Sequence, residues 1–216
     1  MAFIEIQPLA HARGNVRDMY NRQQAHWGYV PNYAKVFSHR PEALARWGRL
    51  QAELRRPVPD RRYELITLAA ALELRSTPCA LAHGRALADL TNDETVQALV
   101  EGREAEALDA AEAAMVGYAR AVARDATAVS ETQVDELRLL GFSDAEILDI
   151  AVLAAARSFL TKTMDALGCQ ADSALSEGYP ALARELTVGR PADHAAVERL
   201  PEPPRKPAGR EQGELS

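Results

Sequence analysis

The sequence predicts an all-α protein built as a helical bundle, and three observations lead to that fold class. Alanine is abundant, aromatic residues make up only 6% of the chain, and β-branched residues rarely alternate with polar ones over a strand length. The longest nearly uninterrupted apolar stretches, 65–72 and 150–156, fall far short of the roughly 18 residues that a membrane-spanning helix needs. Both stretches are therefore expected to lie in the core of a soluble domain.

Helix start and stop signals divide the chain into ten predicted helices. The predicted ranges are 11–26, 32–38, 41–54, 61–75, 79–90, 92–100, 105–125, 130–140, 144–167 and a short helix from Pro180 to Thr187.

Each boundary has a local chemical reason. Pro41 and Pro78 fit the first turn of a helix, and Asp60 is a natural N-cap. Ser143 and Glu146 form a capping box at the start of the longest helix, which should stop at Gly168. The apolar positions of 61–75 cover much of its circumference, so this helix should be buried on more than one side.

Charge and cysteine content exclude several classes of protein. The net charge is −6 and the 25 basic residues are scattered, so we expect no nucleic acid partner. Two cysteines cannot form a disulfide framework, which favours a reducing compartment. The start of the chain lacks the pattern of a signal peptide, and we therefore expect a cytoplasmic protein without membrane contact.

The domain organisation follows from where the helical pattern fades. Residues 1–188 are predicted to form a single helical domain. From Gly189 to Ser216 the sequence contains five prolines, mixed charges and few large apolar residues. Such a segment cannot bury enough area to offset the entropy of ordering, so 189–216 is predicted to be a flexible, disordered C-terminal tail.

The residues most suited to chemistry are Glu64, Ser76, Cys79 and His83. Cys79 and His83 lie four residues apart on one predicted helix, so their side chains share a face and can exchange a proton. Cys79 also lies in the first turn, with Ser76 or Thr77 as the expected N-cap. Unpaired backbone N–H groups and the helix dipole favour the thiolate there.

These residues also have a purely structural interpretation. A cysteine in an apolar helix is commonly a small buried hydrophobe. In a straight helix, Glu64 would lie about 18 Å from Ser76 at 1.5 Å per residue. The carboxylate can reach the site only if the helices cross at an angle, if the chain unwinds before Ser76, or if it comes from another subunit. The sequence leaves these three arrangements open.

The order Glu64, Ser76-x-x-Cys79-x-x-x-His83-Gly84 resembles the Glu, Cys-x-x-Cys, His signature of the carboxymuconolactone decarboxylase and alkylhydroperoxidase D-like superfamily. The flanking segments 30–47, 59–66, 80–84 and 141–148 are similar to peroxidase-related members. The resemblance covers about 28–170.

The resemblance implies an all-helical fold of the alkylhydroperoxidase D-like type, assembled into trimers or hexamers. It also implies a thiol peroxidase cycle that needs no cofactor. Carried over by position, Cys79 attacks the hydroperoxide, while His83 and Glu64 relay the proton. The implied partners are a small-molecule hydroperoxide and a thiol reductant.

Ser76 departs from the family signature because it takes the place of the first cysteine. A serine hydroxyl cannot form a disulfide, so a sulfenic acid at Cys79 must be resolved by an external thiol or by Cys169. Cys169 follows the longest helix and is expected to be a structural or incidental thiol unless it comes close to Cys79.

The remaining candidates carry less chemical information. His11, His26, His39 and His194 show no ligand spacing, so we expect no metal site. Trp27, Tyr29 and Tyr33 could line a substrate cavity or a subunit interface, or simply pack together. Tyr63, beside Glu64, is equally open to an accessory or a packing role.

Two alternatives to a peroxidase follow from the same residues. The first is a lyase of the carboxymuconolactone decarboxylase type, in which His83 and Glu64 act without Cys79. The second is a non-enzymatic helical oligomer that serves as a redox sensor or an interaction module, since Ser76 has replaced the partner thiol.

Overall fold

The computed structural model describes residues 2–201, which form helices joined by short connections. The helices are α1 (Gly14–Trp27), α2 (Asn32–Val36), α3 (Pro41–Arg55), α4 (Asp60–Glu73), α5 (Thr77–Leu90), α6 (Asp93–Glu101), α7 (Glu104–Ala107), α8 (Ala110–Asp125), α9 (Glu131–Leu139), α10 (Asp144–Ala166) and α11 (Pro180–Glu185). The described part contains no strand, which confirms the all-α prediction. None of its helices has the length and apolar character needed to cross a membrane.

Helix α4 lies at the centre of the bundle. Its residues from Tyr63 to Ala71 are all buried, and it packs against α5, α8 and α10. The alanines at 69–71 leave no exposed surface, because their small side chains let neighbouring helices approach closely. Burial on several faces is what the apolar pattern of 61–75 predicted.

A tight turn reverses the chain between α4 and α5. Arg75 adopts the left-handed conformation with φ 53°, and its N–H donates to the carbonyl of Leu72 at 3.0 Å. The N–H of Ser76 donates to the carbonyl of Ala71 at 2.9 Å. This Schellman pattern satisfies the last carbonyls of α4 and allows α5 to start at once. The two helices then pack against each other within one chain.

Helix α10 is the longest element and starts as predicted. Ser143 accepts from the N–H of Glu146, and Glu146 accepts from the N–H of Ser143 at 2.9 Å, which is a capping box. Gly168 follows its end in the left-handed conformation, with φ 70°. α10 contacts α3, α4 and α8, so residues in its middle face the centre of the bundle.

The structure corrects one predicted element. The single helix expected over 105–125 is two helices, α7 and α8, because the chain is extended at Leu108 and Asp109. The Asp109 carboxylate accepts from the N–H of Glu112 at 2.8 Å, and this N-cap begins α8.

The first part of the predicted tail contacts the rest of the chain although it forms no helix. Gly189 N–H donates to the Thr77 hydroxyl at 2.9 Å, and Glu198 pairs with Lys35 at 2.7 Å. Leu200 is buried. These contacts extend to residue 200, whereas 202–216 of the predicted tail lie outside the described residues. The boundary at 188/189 stays a prediction.

Candidate active site

A cavity of about 300 Å³ lies between α3, α4, α5 and α10 and the turn that joins α1 to α2. Its polar wall comes from residues far apart in the sequence, among them Gln23, Gln51, Tyr63, Ser76, Cys79, His83, Arg157, Thr161, Cys169, Gln170 and Asp172. Four of the residues singled out in the sequence, Ser76, Cys79, His83 and Cys169, therefore meet in one cavity. Glu64 is buried behind His83.

Both ring nitrogens of His83 have partners in this site. The Glu64 carboxylate lies 2.7 Å from Nδ1, and Arg157 Nη1 lies 3.2 Å from Nε2. A guanidinium can only donate, so Nε2 must hold a lone pair and Nδ1 must carry the proton that Glu64 accepts. The geometry thus selects the neutral Nδ1–H tautomer and places the basic nitrogen on the Arg157 side.

Burial is the main reason why the pKa of His83 lies below its usual value of 6.5. The hydrogen bond to Glu64 opposes this change, and the charge of Arg157 adds to it. Desolvation penalises the imidazolium, which explains the sign. His83 is therefore a neutral imidazole at neutral pH, which is the form that can accept a proton.

The contact between Glu64 and His83 resolves the question of how the carboxylate reaches the site. α4 and α5 pack against each other, and residues 64 and 83 of the same chain meet at hydrogen-bond distance. No second subunit is needed. Helix α4 ends at Glu73, and α5 packs back against it after the turn at Arg75, which brings the two side chains together.

Cys79 occupies the first turn of α5, and Ser76 is its N-cap residue. The side chain of Ser76 makes no capping hydrogen bond, so the expected capping role is filled only by its backbone position. The Cys79 sulfur lies 3.8 Å from the hydroxyl of Thr161 on α10. Within the described contacts, the hydrogen bonds of His83 run to Glu64 and Arg157 rather than to Cys79.

Ser76 is almost fully buried, with 1% of its surface exposed. Its hydroxyl oxygen has no hydrogen-bond partner among the described residues. A buried hydroxyl without a partner is costly, and it stands here in the wall of the cavity beside Cys79.

Cys169 lines the same cavity but is a different kind of thiol. Both cysteines are free and buried. Burial raises the pKa of Cys169 to about 12, so its thiol stays protonated at neutral pH. It is a poor nucleophile in the resting protein.

Comparison with known proteins gives matches in structure only. Neither a protein-family model nor a curated protein matches the sequence. A peroxidase-related protein from Silicibacter sp. TM1040 superimposes with a TM-score of 0.72 and 21% identity, covering 82% of this chain and 94% of that one. An alkylhydroperoxidase AhpD core from Ralstonia eutropha JMP134, also called peroxidase-related, gives 0.70 and 20%, covering 81% and 94%. The chain has the alkylhydroperoxidase D fold.

This fold also carries a different named activity. The debrominase Bmp8, solved as a cysteine-to-alanine variant with 2,3,4-tribromopyrrole, gives a TM-score of 0.65 at 18% identity, covering 79% of this chain and 90% of that one. These structures confirm the all-helical alkylhydroperoxidase D-like fold that the sequence predicted, and that fold alone does not fix the reaction.

The apolar wall of the cavity in this alkylhydroperoxidase D fold is aromatic. It includes Trp27, Tyr29, Tyr33 and Trp47. Trp27 donates from its indole N–H to the Tyr33 hydroxyl at 3.0 Å, and Trp47 packs on Phe159 with ring centroids 4.7 Å apart. The three aromatic residues of the 27–33 turn thus line the cavity, one of the roles expected for them. Tyr63 stands edge-on to His83 at 5.8 Å.

Sequence reasoning missed Arg157, Gln51 and Thr161. Arg157 is 74 residues from its partner His83, so no short-range spacing reveals the contact. One signal was available: Arg157 interrupts an apolar run in the middle of a long helix. A charge at such a position needs a partner or a function.

Proposed function

We propose that the chain is a thiol-dependent, alkylhydroperoxidase-like oxidoreductase that uses Cys79 as nucleophile, His83 as base and Glu64 as the group that orients His83. The observation that supports this most strongly is the 2.7 Å contact between Glu64 and His83 beside a cavity that also holds Cys79. A nucleophile, a base and an orienting acid around one cavity are the groups that nucleophilic catalysis uses.

The proposed first step oxidises Cys79. Its thiol proton passes to Nε2 of His83, and the thiolate sulfur attacks the outer oxygen of the hydroperoxide. The S–O bond forms as the O–O bond breaks. The alkoxide leaves and takes the proton back from His83, which gives an alcohol and a sulfenic acid at Cys79. Glu64 stabilises the imidazolium that exists between the two proton transfers.

The proposed second step needs an external thiol, because Ser76 cannot supply sulfur. That thiol attacks the sulfenic acid, forms a mixed disulfide and releases water. A second thiol molecule then restores the Cys79 thiol and leaves as a disulfide. Cys169 could attack the sulfenic acid instead of the external thiol, since it lines the same cavity. Its raised pKa of about 12 would make that attack slow.

The test compares two cysteine variants in stopped-flow assays with cumene hydroperoxide. We expect Cys79→Ser to abolish the fast consumption of hydroperoxide, and a dimedone adduct to appear on Cys79 of the wild-type protein. Cys169→Ser is the matched control, since it removes a buried thiol from the same cavity and should leave the first oxidation unchanged. Equal, slow consumption by the wild type and Cys79→Ser would contradict the proposal.

The lyase alternative is tested with the same variant. If Cys79→Ser and wild type release carbon dioxide from carboxymuconolactone at equal rates, Glu64 and His83 act without the thiol. Debromination deserves the same comparison because the debrominase Bmp8 shares the fold and the cavity here has aromatic walls.

A further inference from the structure

Arg157 places a positive charge in the wall of a cavity that is otherwise mainly aromatic and aliphatic. Only 6% of its surface is exposed. Its two terminal nitrogens donate to neutral acceptors, Nη1 to His83 and Nη2 to the amide oxygen of Gln51. Among the described residues, no carboxylate forms an ion pair with it. A buried cation normally has an anionic partner.

Two hydrogen-bond donor atoms at this site have no acceptor among the described residues. Within the described residues, Arg157 Nε and Gln51 Nε2 are both buried and unpartnered. A carboxylate offers two oxygens with about four acceptor sites. Bonds from a guanidinium to a carboxylate are roughly twice as strong as those to neutral acceptors. A carboxylate entering the cavity would therefore displace the weaker contacts of Arg157.

The rest of the cavity indicates what the part of such a ligand beyond its carboxylate should be. Trp27, Trp47, Leu44 and Leu160 contribute to its wall, so the ligand needs an apolar, preferably aromatic, body. A volume of about 300 Å³ suits a small molecule with a single ring. Asp172, the acidic residue of the described wall, accepts a hydrogen bond from the backbone N–H of Asn32 at 3.0 Å.

We propose that Arg157 and Gln51 form the polar end of a ligand site for small aromatic or branched aliphatic carboxylates. The carboxylate accepts hydrogen bonds from Arg157 and Gln51, while the apolar body lies against the tryptophans. Binding is a property of the resting protein and does not depend on any reaction at Cys79.

The site also bears on the catalytic step, and this part rests on the proposed function. Nε2 of His83 receives the Cys79 proton in the proposed step, and Arg157 competes with that proton for the same lone pair. A ligand carboxylate that draws Arg157 away releases Nε2. The hydroperoxides favoured by this site are then those that carry a carboxylate, and Arg157 acts as a positioning residue for His83.

Tryptophan fluorescence tests the ligand site directly. The sequence has two tryptophans, Trp27 and Trp47, and both line the cavity, so the intrinsic signal reports occupancy. The probes are 3-phenylpropionate and its neutral analogue 3-phenylpropanamide, titrated at pH 7.5 without hydroperoxide. We expect the acid to bind about ten- to a hundredfold more tightly than the amide. Equal affinities would overturn the proposal.

Three variants test whether the charge of Arg157 causes the preference for the acid over the amide. Arg157→Gln should abolish the preference for the acid. Arg49→Gln, an exposed position on α3 two residues before Gln51, is the matched control and should retain it. Gln51→Glu places a carboxylate against Arg157, so it should also abolish the preference without leaving a buried charge unpaired. If Arg157→Gln still prefers the acid, the proposed site is wrong. If Arg157→Gln does not fold, the same conclusion follows from a preference that survives in Gln51→Glu.

The carboxylate site and the peroxidase function can be refuted independently of each other. Loss of the acid preference in Arg157→Gln supports the ligand site whether or not hydroperoxide is consumed. If the wild type binds the acid but Cys79→Ser consumes cumene hydroperoxide as the wild type does, the carboxylate site stands and the peroxidase function is wrong.

Discussion

At the residue scale, His83 is held from both sides by groups of opposite charge. Glu64 fixes the proton on Nδ1, and Arg157 meets Nε2. The two partners also oppose each other in their effect on the pKa of His83, since Glu64 raises it and Arg157 lowers it. The basicity of His83 therefore depends on how strongly Arg157 is engaged.

Glu64→Gln should slow the oxidation of Cys79 by about tenfold or more, because proton transfer by a correctly positioned side chain typically contributes about 10²–10⁴-fold to a rate. Loss of the carboxylate removes the charge that stabilises the imidazolium. Stopped-flow rates with cumene hydroperoxide measure the effect. Glu73→Gln is the control, because Glu73 lies on the same helix but pairs with Arg124 at 2.6 Å. Equal rates for the two variants would contradict a role for Glu64.

Glu64, Cys79 and His83 could be identified from the sequence because their spacing matches a family signature. The spacing of Cys79 and His83 suggested a direct proton exchange, whereas the structure shows His83 bonded to Glu64 and Arg157, and Cys79 close to Thr161. Arg157 and Thr161 come from α10, and only tertiary packing brings them to α5. Such contacts leave little trace in a single sequence.

Asp172→Asn should stabilise the protein at pH 7–8. Burial raises the pKa of Asp172 from 3.8 to about 6, so the folded state binds more protons than the unfolded state between these values. Stability is then lost as pH rises through this window. The shift of about two units corresponds to about 3 kcal/mol, and we expect a gain of about 1–3 kcal/mol.

Urea unfolding at pH 4 and pH 8 measures this effect. The gain should shrink towards zero at pH 4, where Asp172 is largely protonated in the folded state. Asp193→Asn is the control, because the N–H of Ala195 lowers the pKa of Asp193; it should give no gain at pH 8. A gain for Asp172→Asn that does not change with pH would contradict the argument.

At the element scale, the start of α5 is held by the segment that follows α11. Gly189 N–H bonds the Thr77 hydroxyl, and Arg75 Nε donates to the Val188 carbonyl at 3.1 Å. Gly84, beside His83, lies so close to Leu186 that an added Cβ would come within 2.5 Å of that side chain. The helix that carries Cys79 and His83 is thus fixed by residues 186–189.

Gly189→Ala should destabilise the protein by about 1–3 kcal/mol. A Cβ at this position would meet the Arg75 carbonyl oxygen at 1.9 Å, and backbone atoms cannot move aside easily. Gly117→Ala is the matched control, since Gly117 lies in α8 with nothing within 4 Å of an added Cβ. It should stabilise by about 0.5–1 kcal/mol. Differential scanning calorimetry that ranks the two variants in the opposite order would contradict this packing.

The sequence predicted most elements of the fold because its caps and prolines are explicit, as the capping box at Ser143 shows. It missed the break at Leu108 because the helical pattern continues across it. It also placed the start of the tail by composition, which does not reveal the contacts that Gly189, Glu198 and Leu200 make with the body. Contacts between residues so far apart in the sequence depend on the tertiary structure, so the sequence alone does not reveal them.

At the scale of the whole molecule, a single chain leaves several large apolar side chains exposed. Leu139 is 88% exposed, Leu148 61% and Phe159 47%. Assembly would cover such side chains, and the family resemblance implies trimers or hexamers.

We therefore expect the protein to assemble in solution. Light scattering coupled to size-exclusion chromatography should give a mass three or six times that of the 23.6 kDa chain. We expect this mass to persist on dilution to micromolar concentration. A mass equal to that of one chain at micromolar concentration would contradict assembly.

Because position 76 is a serine, the proposed cycle depends on a thiol supplied from outside the protein. With sulfur at Cys79 but not at Ser76, each turnover consumes two molecules of an outside thiol, and the rate of recovery rises with the concentration of that thiol. An internal disulfide would make this rate depend on a dedicated reductase instead. In the proposed cycle, the steady rate of hydroperoxide removal would therefore follow the concentration of the external thiol.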